Sequence, residues 1–204
     1  MNLPNKISMI RIFMIPIFVV VFFLDGVLPA IQGAPIAFGV SAIIFAVSAC
    51  TDFIDGYIAR KYKLVTNLGK FLDPIADKVL VSTAMILLLT MKEVLFRGWE
   101  YSNALYISLA VCICVIMARE LIISAFRQIA AARGLVLAAE KLGKYKTTFQ
   151  DISIFALLFS ASVPAFAGEI VCWVGLALFA VATILTVWSG ITYVVKNKQV
   201  LKDA

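Results

Sequence analysis

Six long apolar runs leave this chain few ways to fold. They cover roughly residues 5–24, 34–58, 71–91, 103–126, 147–163 and 170–195, and several approach the roughly 20 residues that cross a bilayer as a helix. They lack the short alternating segments of a transmembrane β-barrel, being apolar on all sides. Divided among six helices, 204 residues leave about 34 for each helix with its loop. No separate soluble domain fits, so residues 1–204 are expected to form one membrane domain with its chemistry on the helices. Hydrophobic residues make up 63% of the chain and charged residues 15%, against about 45–50% and 25% in soluble domains. A soluble enzyme, a disordered tail and a secreted disulfide scaffold are excluded. The expected fold is an all-α integral membrane protein with six transmembrane helices. Leu24, Asp25 and Gly26 offer no small-x-small cleavage site, so the first helix is expected to be retained.

The charges orient the helices. With a cytoplasmic N-terminus and six crossings, all but two of the 18 basic residues fall on the cytoplasmic side, Lys92 and Arg97 being the exceptions. The positive-inside rule fits this topology and not its mirror image. There are no histidines, which removes the commonest general base and every His-ligated metal site. Cys50, Cys112, Cys114 and Cys172 lie within apolar runs and read as small buried residues. Trp99, Tyr101, Trp173, Trp188 and Tyr193 fit interfacial belts or packing.

The acidic residues stand where a bland membrane protein would not place them. Asp52 and Asp55 close the second run, and Asp73 and Asp77 open the third. A carboxylate at the centre of a membrane helix costs about 2.5–3.5 kcal/mol on insertion scales. These four must therefore be hydrated, paired or metal-bound. The spacings i,i+3 and i,i+4 put each pair on one helix face, and the short connection around residues 61–68 brings the two faces together. Four carboxylates would be neutralised by two divalent cations, and all-oxygen ligands suit Mg²⁺, Mn²⁺ or Ca²⁺ rather than zinc. Pairing with Arg60, Lys61, Lys63, Lys70 and Lys78 is the blander alternative. Gly56 and Ala59 leave room for a flat ligand beside the metal, and Arg60, Thr66 and Gly69 follow near a phosphate. Pro74 is expected in the first turn of the third helix.

The string Asp52-x-x-Asp55-Gly56-x-x-Ala59-Arg60, eight residues, then Gly69-x-x-x-Asp73-x-x-x-Asp77 resembles the signature of the CDP-alcohol phosphatidyltransferases. The segments NLPNKISMIRIFMIPIF, FLDPIADKVLV, ARELIISAFR and GKYKTTFQ extend the similarity along nearly the whole chain. The resemblance implies six helices, cytoplasmic termini and a polar cavity opening to the cytoplasm. It also implies metal-assisted transfer of a phosphatidyl group from CDP-diacylglycerol to sn-glycerol 3-phosphate, with release of CMP. Mg²⁺ or Mn²⁺, as two ions, would sit on Asp52, Asp55, Asp73 and Asp77, with Asp77 also the general base. The donor would meet Asn5, Ser8, Asp52, Gly56, Ala59, Arg60 and Thr66. Arg11 would stand with Asn5 and Ser8 on the nucleotide side, although for Lys6 and Arg11 a role as topology and headgroup anchors stands equally open.

The acceptor's phosphate needs fixed cations. Arg119 and Arg127 stand on one broad side of the fourth run, and Lys144 and Lys146 lie just before the fifth helix. These four form the expected pocket; pairing of Arg119 with Glu120 or the Asp cluster, and snorkelling of the lysines, are the alternatives. Asp151 is left open between partners. The resemblance further implies a homodimer among the lipids of a bacterial plasma membrane, and no nucleic-acid partner is expected. Two other functions are weighed: the same chemistry with inositol phosphate as acceptor, and a divalent-cation transporter, against which stand acids clustered at one border and the lack of an internal repeat.

Overall fold

The structure, a computed structural model, describes residues 3–31, 34–62, 66–96, 98–133 and 141–201. The side chains of residues 52–60, 67, 68, 70 and 71 are among those outside this description. The six apolar runs form six long helices: α1 (Leu3–Phe22), α2 (Ile36–Lys61), α3 (Asn67–Thr90), α5 (Ser102–Ala132), α6 (Lys141–Ser160) and α7 (Ala165–Lys196). A one-turn helix, α4 (Lys92–Leu95), follows α3, and a 3₁₀ turn (Lys198–Leu201) follows α7. Between α1 and α2 the chain makes a two-stranded antiparallel ribbon, β1 (Ala30–Ile31) with β2 (Ala34–Pro35).

The helices outrun the apolar runs at their polar ends. α5 continues past residue 126, so Arg127 is helical, and α6 begins at Lys141, so Lys144 and Lys146 stand in its first turns rather than before it. Hydropathy marks only the apolar part of a helix, and Lys, Tyr and Thr continue one at little cost. Pro74 is likewise not in the first turn of α3. The Thr66 side chain caps the helix through the Gly69 N–H, which starts α3 at Asn67 and leaves Pro74 inside it.

α1 packs on α2 and α3, α6 on α2 and α7, and α5 on α7. α3 touches α1, α2, α5 and α6, so a site drawn from several helices gathers on it. The core joins Phe18, Phe45, Leu80, Leu88, Ile113, Ile116, Ile154, Leu157 and Phe179, all buried. The outer surface is apolar too: Phe13, Val20, Ile43, Leu121, Ile184, Trp188 and Val195 are exposed, the reverse of a water-facing surface and the pattern of helices that meet lipid. Buried Ser153, Ser160 and Ser189 donate to carbonyls of their own helices, which satisfies their hydroxyls without water.

Among the described residues, three helices are long and apolar enough to cross a membrane by length and composition, over Asn5–Phe22, Ser102–Ala132 and Phe166–Lys196. α2 has a shorter apolar stretch, Ile36–Thr51. The protein is an all-α membrane protein. All four cysteines are free, yet only Cys172 is buried; Cys50 and Cys114 are exposed on the apolar surface, correcting the expectation of burial. A thiol is apolar enough to face lipid as readily as the core.

Candidate active site

The site assembles where the N-terminal ends of α1, α3 and α6 meet the C-terminal ends of α2, α5 and α7. Thr66 caps α3 and ties its start to α1. Its hydroxyl accepts from the Gly69 N–H at 3.0 Å and donates to Asn5 Oδ1 at 2.9 Å. Asn5 is buried, and a Cβ at Gly69 would lie 2.8 Å from its Oδ1, so any larger residue there would push the Asn5 amide aside. One turn further along each helix, Ser8 Oγ donates to Asp73 Oδ1 at 2.6 Å. That short hydroxyl–carboxylate bond fixes the orientation of Asp73 from α1.

Arg11, one turn beyond Ser8, is 1% exposed, and its Nε donates to Thr51 Oγ1 at 3.3 Å, next to Asp52 in sequence. A side chain buried to this degree is not a headgroup anchor. Arg11 instead brings a fixed positive charge to the end of α2 that carries the acidic motif. Asp52, Asp55, Gly56, Ala59 and Arg60 all belong to α2, but their side chains lie outside the described residues.

The second half of the site lies between α3, α5 and α6. A cavity of about 180 Å³ is lined by Asp77, Lys78, Glu120, Ser124, Gln150 and Asp151, with Met85 and Met117 among its apolar contacts. Lys78 Nζ donates to Ser124 Oγ, which itself donates to the Glu120 carbonyl oxygen. Arg119 donates through Nη1 to Glu120 Oε1 at 3.1 Å and through Nη2 to Ser189 Oγ at 3.0 Å. Lys146, buried, donates to the same Glu120 oxygen. Arg127 donates to Tyr193 Oη at 3.2 Å, with its guanidinium 5.3 Å from that ring's centroid. Lys144 is exposed and does not line the cavity.

Of the residues expected from sequence, the structure brings together Asn5, Ser8, Thr66 and Asp73 on one side. On the other it brings Arg119 and Lys146 to a common carboxylate. Arg127 turns to α7 instead. Among the described residues no group of three or more His, Cys, Asp or Glu is placed to hold a metal, and Asp52 and Asp55, which would complete such a set with Asp73 and Asp77, are outside that description. The oxygen-only donors of this set, with Asp73 braced by Ser8, fit a hard divalent cation.

Sequence reasoning left four contributors without a site role. The sequence offers Glu120 only as a partner for Arg119, and Ser189 carries no signal of its own. Gly190 leaves room for the Arg119 side chain, whose Cγ and Nε a Cβ there would meet at 3.0 Å and 3.1 Å. Tyr193, read as belt or packing, is 3% exposed and faces Arg127. Its neighbours Ser189 and Gly190 on α7, small and polar in an apolar run, were the available clue.

The profile of the CDP-alcohol phosphatidyltransferases matches residues 1–188. A CDP-diacylglycerol–glycerol-3-phosphate 3-phosphatidyltransferase of Bacillus subtilis (strain 168) is 40% identical over 100% of this chain and 98% of its own length. Proteins of the same name from Salmonella paratyphi A and Escherichia coli K12 are 38% and 36% identical. They cover 94% and 99% of this chain, and 92% and 98% of themselves. With that similarity running the length of the chain, and the motif's aspartates on α2 and α3, the chain belongs to the CDP-alcohol phosphatidyltransferase family.

Proposed function

We propose that the chain transfers the phosphatidyl group of CDP-diacylglycerol to sn-glycerol 3-phosphate, giving phosphatidylglycerophosphate and CMP in phospholipid biosynthesis. Full-length similarity to relatives of that name carries this reading. Asp73 and Asp77, with Asp52 and Asp55, are the residues that would hold Mg²⁺ or Mn²⁺, as two ions. A bound divalent cation supplies charge neutralisation for the pyrophosphate and its leaving group.

The remaining work falls to the chain itself. Asn5, Ser8, Arg60 and Thr66, with Gly56 and Ala59 leaving space, hold the cytidine diphosphate portion of the donor. Ser8 does so indirectly, by keeping one oxygen of Asp73 engaged. Asp77 takes the proton from an acceptor hydroxyl, whose oxygen forms the new bond to the β-phosphorus while the bond to CMP breaks. Arg119 and Lys146 take the acceptor's phosphate, with Arg127 and Lys144 at the rim.

All six long helices cross the membrane in this reading, with the cavity and both termini cytoplasmic. The support is the clustering of basic residues at one end: α1 meets α3 there through Ser8 and Asp73, and α5 meets α6 through Glu120 and Lys146. The bacterial relatives support a plasma-membrane location, and the family resemblance supports a homodimer. The test is CMP release by purified protein with Mg²⁺ and CDP-diacylglycerol, offering glycerol 3-phosphate, inositol phosphate, inositol and serine singly. Release with glycerol 3-phosphate alone is expected. Release only with inositol phosphate would replace the acceptor, and no release from folded protein, with ion flux in proteoliposomes, would replace the activity.

A further inference from the structure

The cations assigned to the acceptor's phosphate already hold an anion. Glu120 Oε1 accepts from Arg119 Nη1 at 3.1 Å and from Lys146 Nζ. The side chains of Arg119 and Lys146 are 15% and 5% exposed, while that of Glu120 is 30% exposed. Of the three, only Glu120 is among the residues lining the cavity that also opens on Asp77. The carboxylate therefore stands between the cavity and the two cations. An acceptor with its hydroxyl at Asp77 reaches those cations with its phosphate only when Glu120 leaves. A receiving charge is at hand: Lys78 lines the same cavity and donates to Ser124 Oγ, one turn from Glu120 on α5 and bonded to its carbonyl.

We propose that Glu120 is a resident counter-ion of the acceptor-phosphate site that an entering anion must displace, a cost that a phosphomonoester dianion repays and a phosphodiester monoanion does not. This rests on the reading of Arg119 and Lys146 given above. Exchange of the Glu120 carboxylate for a singly charged phosphodiester replaces one monoanion by another and gains little Coulomb energy. Exchange for a dianion doubles the charge facing two poorly hydrated cations. No covalent bond changes: Glu120 turns from Arg119 and Lys146 to Lys78 as the phosphate enters. The phosphodiester headgroups of the surrounding lipid are the monoanions such a site must refuse.

The test is competition against glycerol 3-phosphate in CMP release, with inorganic phosphate as the dianion and dimethyl phosphate as the monoanion. In the unaltered enzyme inorganic phosphate is expected to compete and dimethyl phosphate to do so far more weakly. In Glu120→Gln the inhibition constant of dimethyl phosphate should fall about threefold or more, because entry no longer requires displacement of a competing, partly exposed charge. A dimethyl phosphate constant that is unchanged or raised in this variant overturns the proposal and leaves Glu120 a brace. If Glu120→Gln yields no folded protein, Lys78→Met carries the test. The KM for glycerol 3-phosphate should then rise about threefold, because the displaced carboxylate loses its receiving charge, and an unchanged KM overturns the proposal. Failure of the unaltered enzyme to release CMP with glycerol 3-phosphate is a separate result that strikes the functional reading itself.

Discussion

Asp77 is the residue on which the proposed chemistry turns. It lines the cavity in which Glu120 and Asp151 also stand, with Lys78 beside it in the chain. Asp77→Asn keeps the shape and removes the basic oxygen, so turnover should fall by about 10²-fold or more. Binding of CDP-diacylglycerol, read by equilibrium dialysis with labelled donor, should remain. Near-normal turnover would move the base elsewhere. Gly190→Ala tests the proposed acceptor side without removing a charged group. The added Cβ would meet Arg119 Cγ at 3.0 Å and Nε at 3.1 Å, tilting the guanidinium away from Ser189. The KM for glycerol 3-phosphate should rise while that for CDP-diacylglycerol stays, and overpacking should cost about 1–3 kcal/mol of stability. Equal changes in both constants would mean that Gly190 serves only helix packing.

At the scale of the element, the start of α3 is set by one side chain. Thr66 caps the helix and ties it to α1 through Asn5. Thr66→Val keeps the shape but loses both hydrogen bonds, at a cost of about 1 kcal/mol for the cap alone. The thermal midpoint in detergent should drop and the KM for the donor should rise, while Thr66→Ser should restore both. A donor KM unmoved by Thr66→Val would confine the residue to capping. The positions of α2 and α3 were legible in sequence because apolar runs and paired carboxylates mark them directly. The true starts of α3 and α6 were not. Pro74 looked like a first-turn residue and Lys141–Lys146 like a loop, yet capping and helix propensity govern these ends, and neither registers in hydropathy.

Over the whole molecule, the basic ends of six helices converge on one side while the ribbon, α4 and the stacked Trp99–Trp173 pair lie on the other. In a cysteine-free background, Tyr101→Cys should react with an impermeant maleimide in intact cells, and Gln199→Cys only after lysis. The reverse pattern would invert the topology. Chelation by EDTA should abolish CMP release, and Mg²⁺ or Mn²⁺ should restore it; activity that survives exhaustive chelation would remove the metal from the reading. The sequence by itself determined the membrane fold, the gathering of basic charge at one end of the helices and the family, because long apolar runs and carboxylates at helical spacing are local patterns of one chain segment. Only the tertiary structure decided what those charges face. Ser8 meets Asp73 across 65 positions of sequence, and Arg119 meets Ser189 across 70. Arg11 proved buried, and Glu120 took up the two cations expected to await a phosphate. A charge's partner depends on which helix packs beside its own, and side-chain periodicity along one helix carries no record of its neighbour.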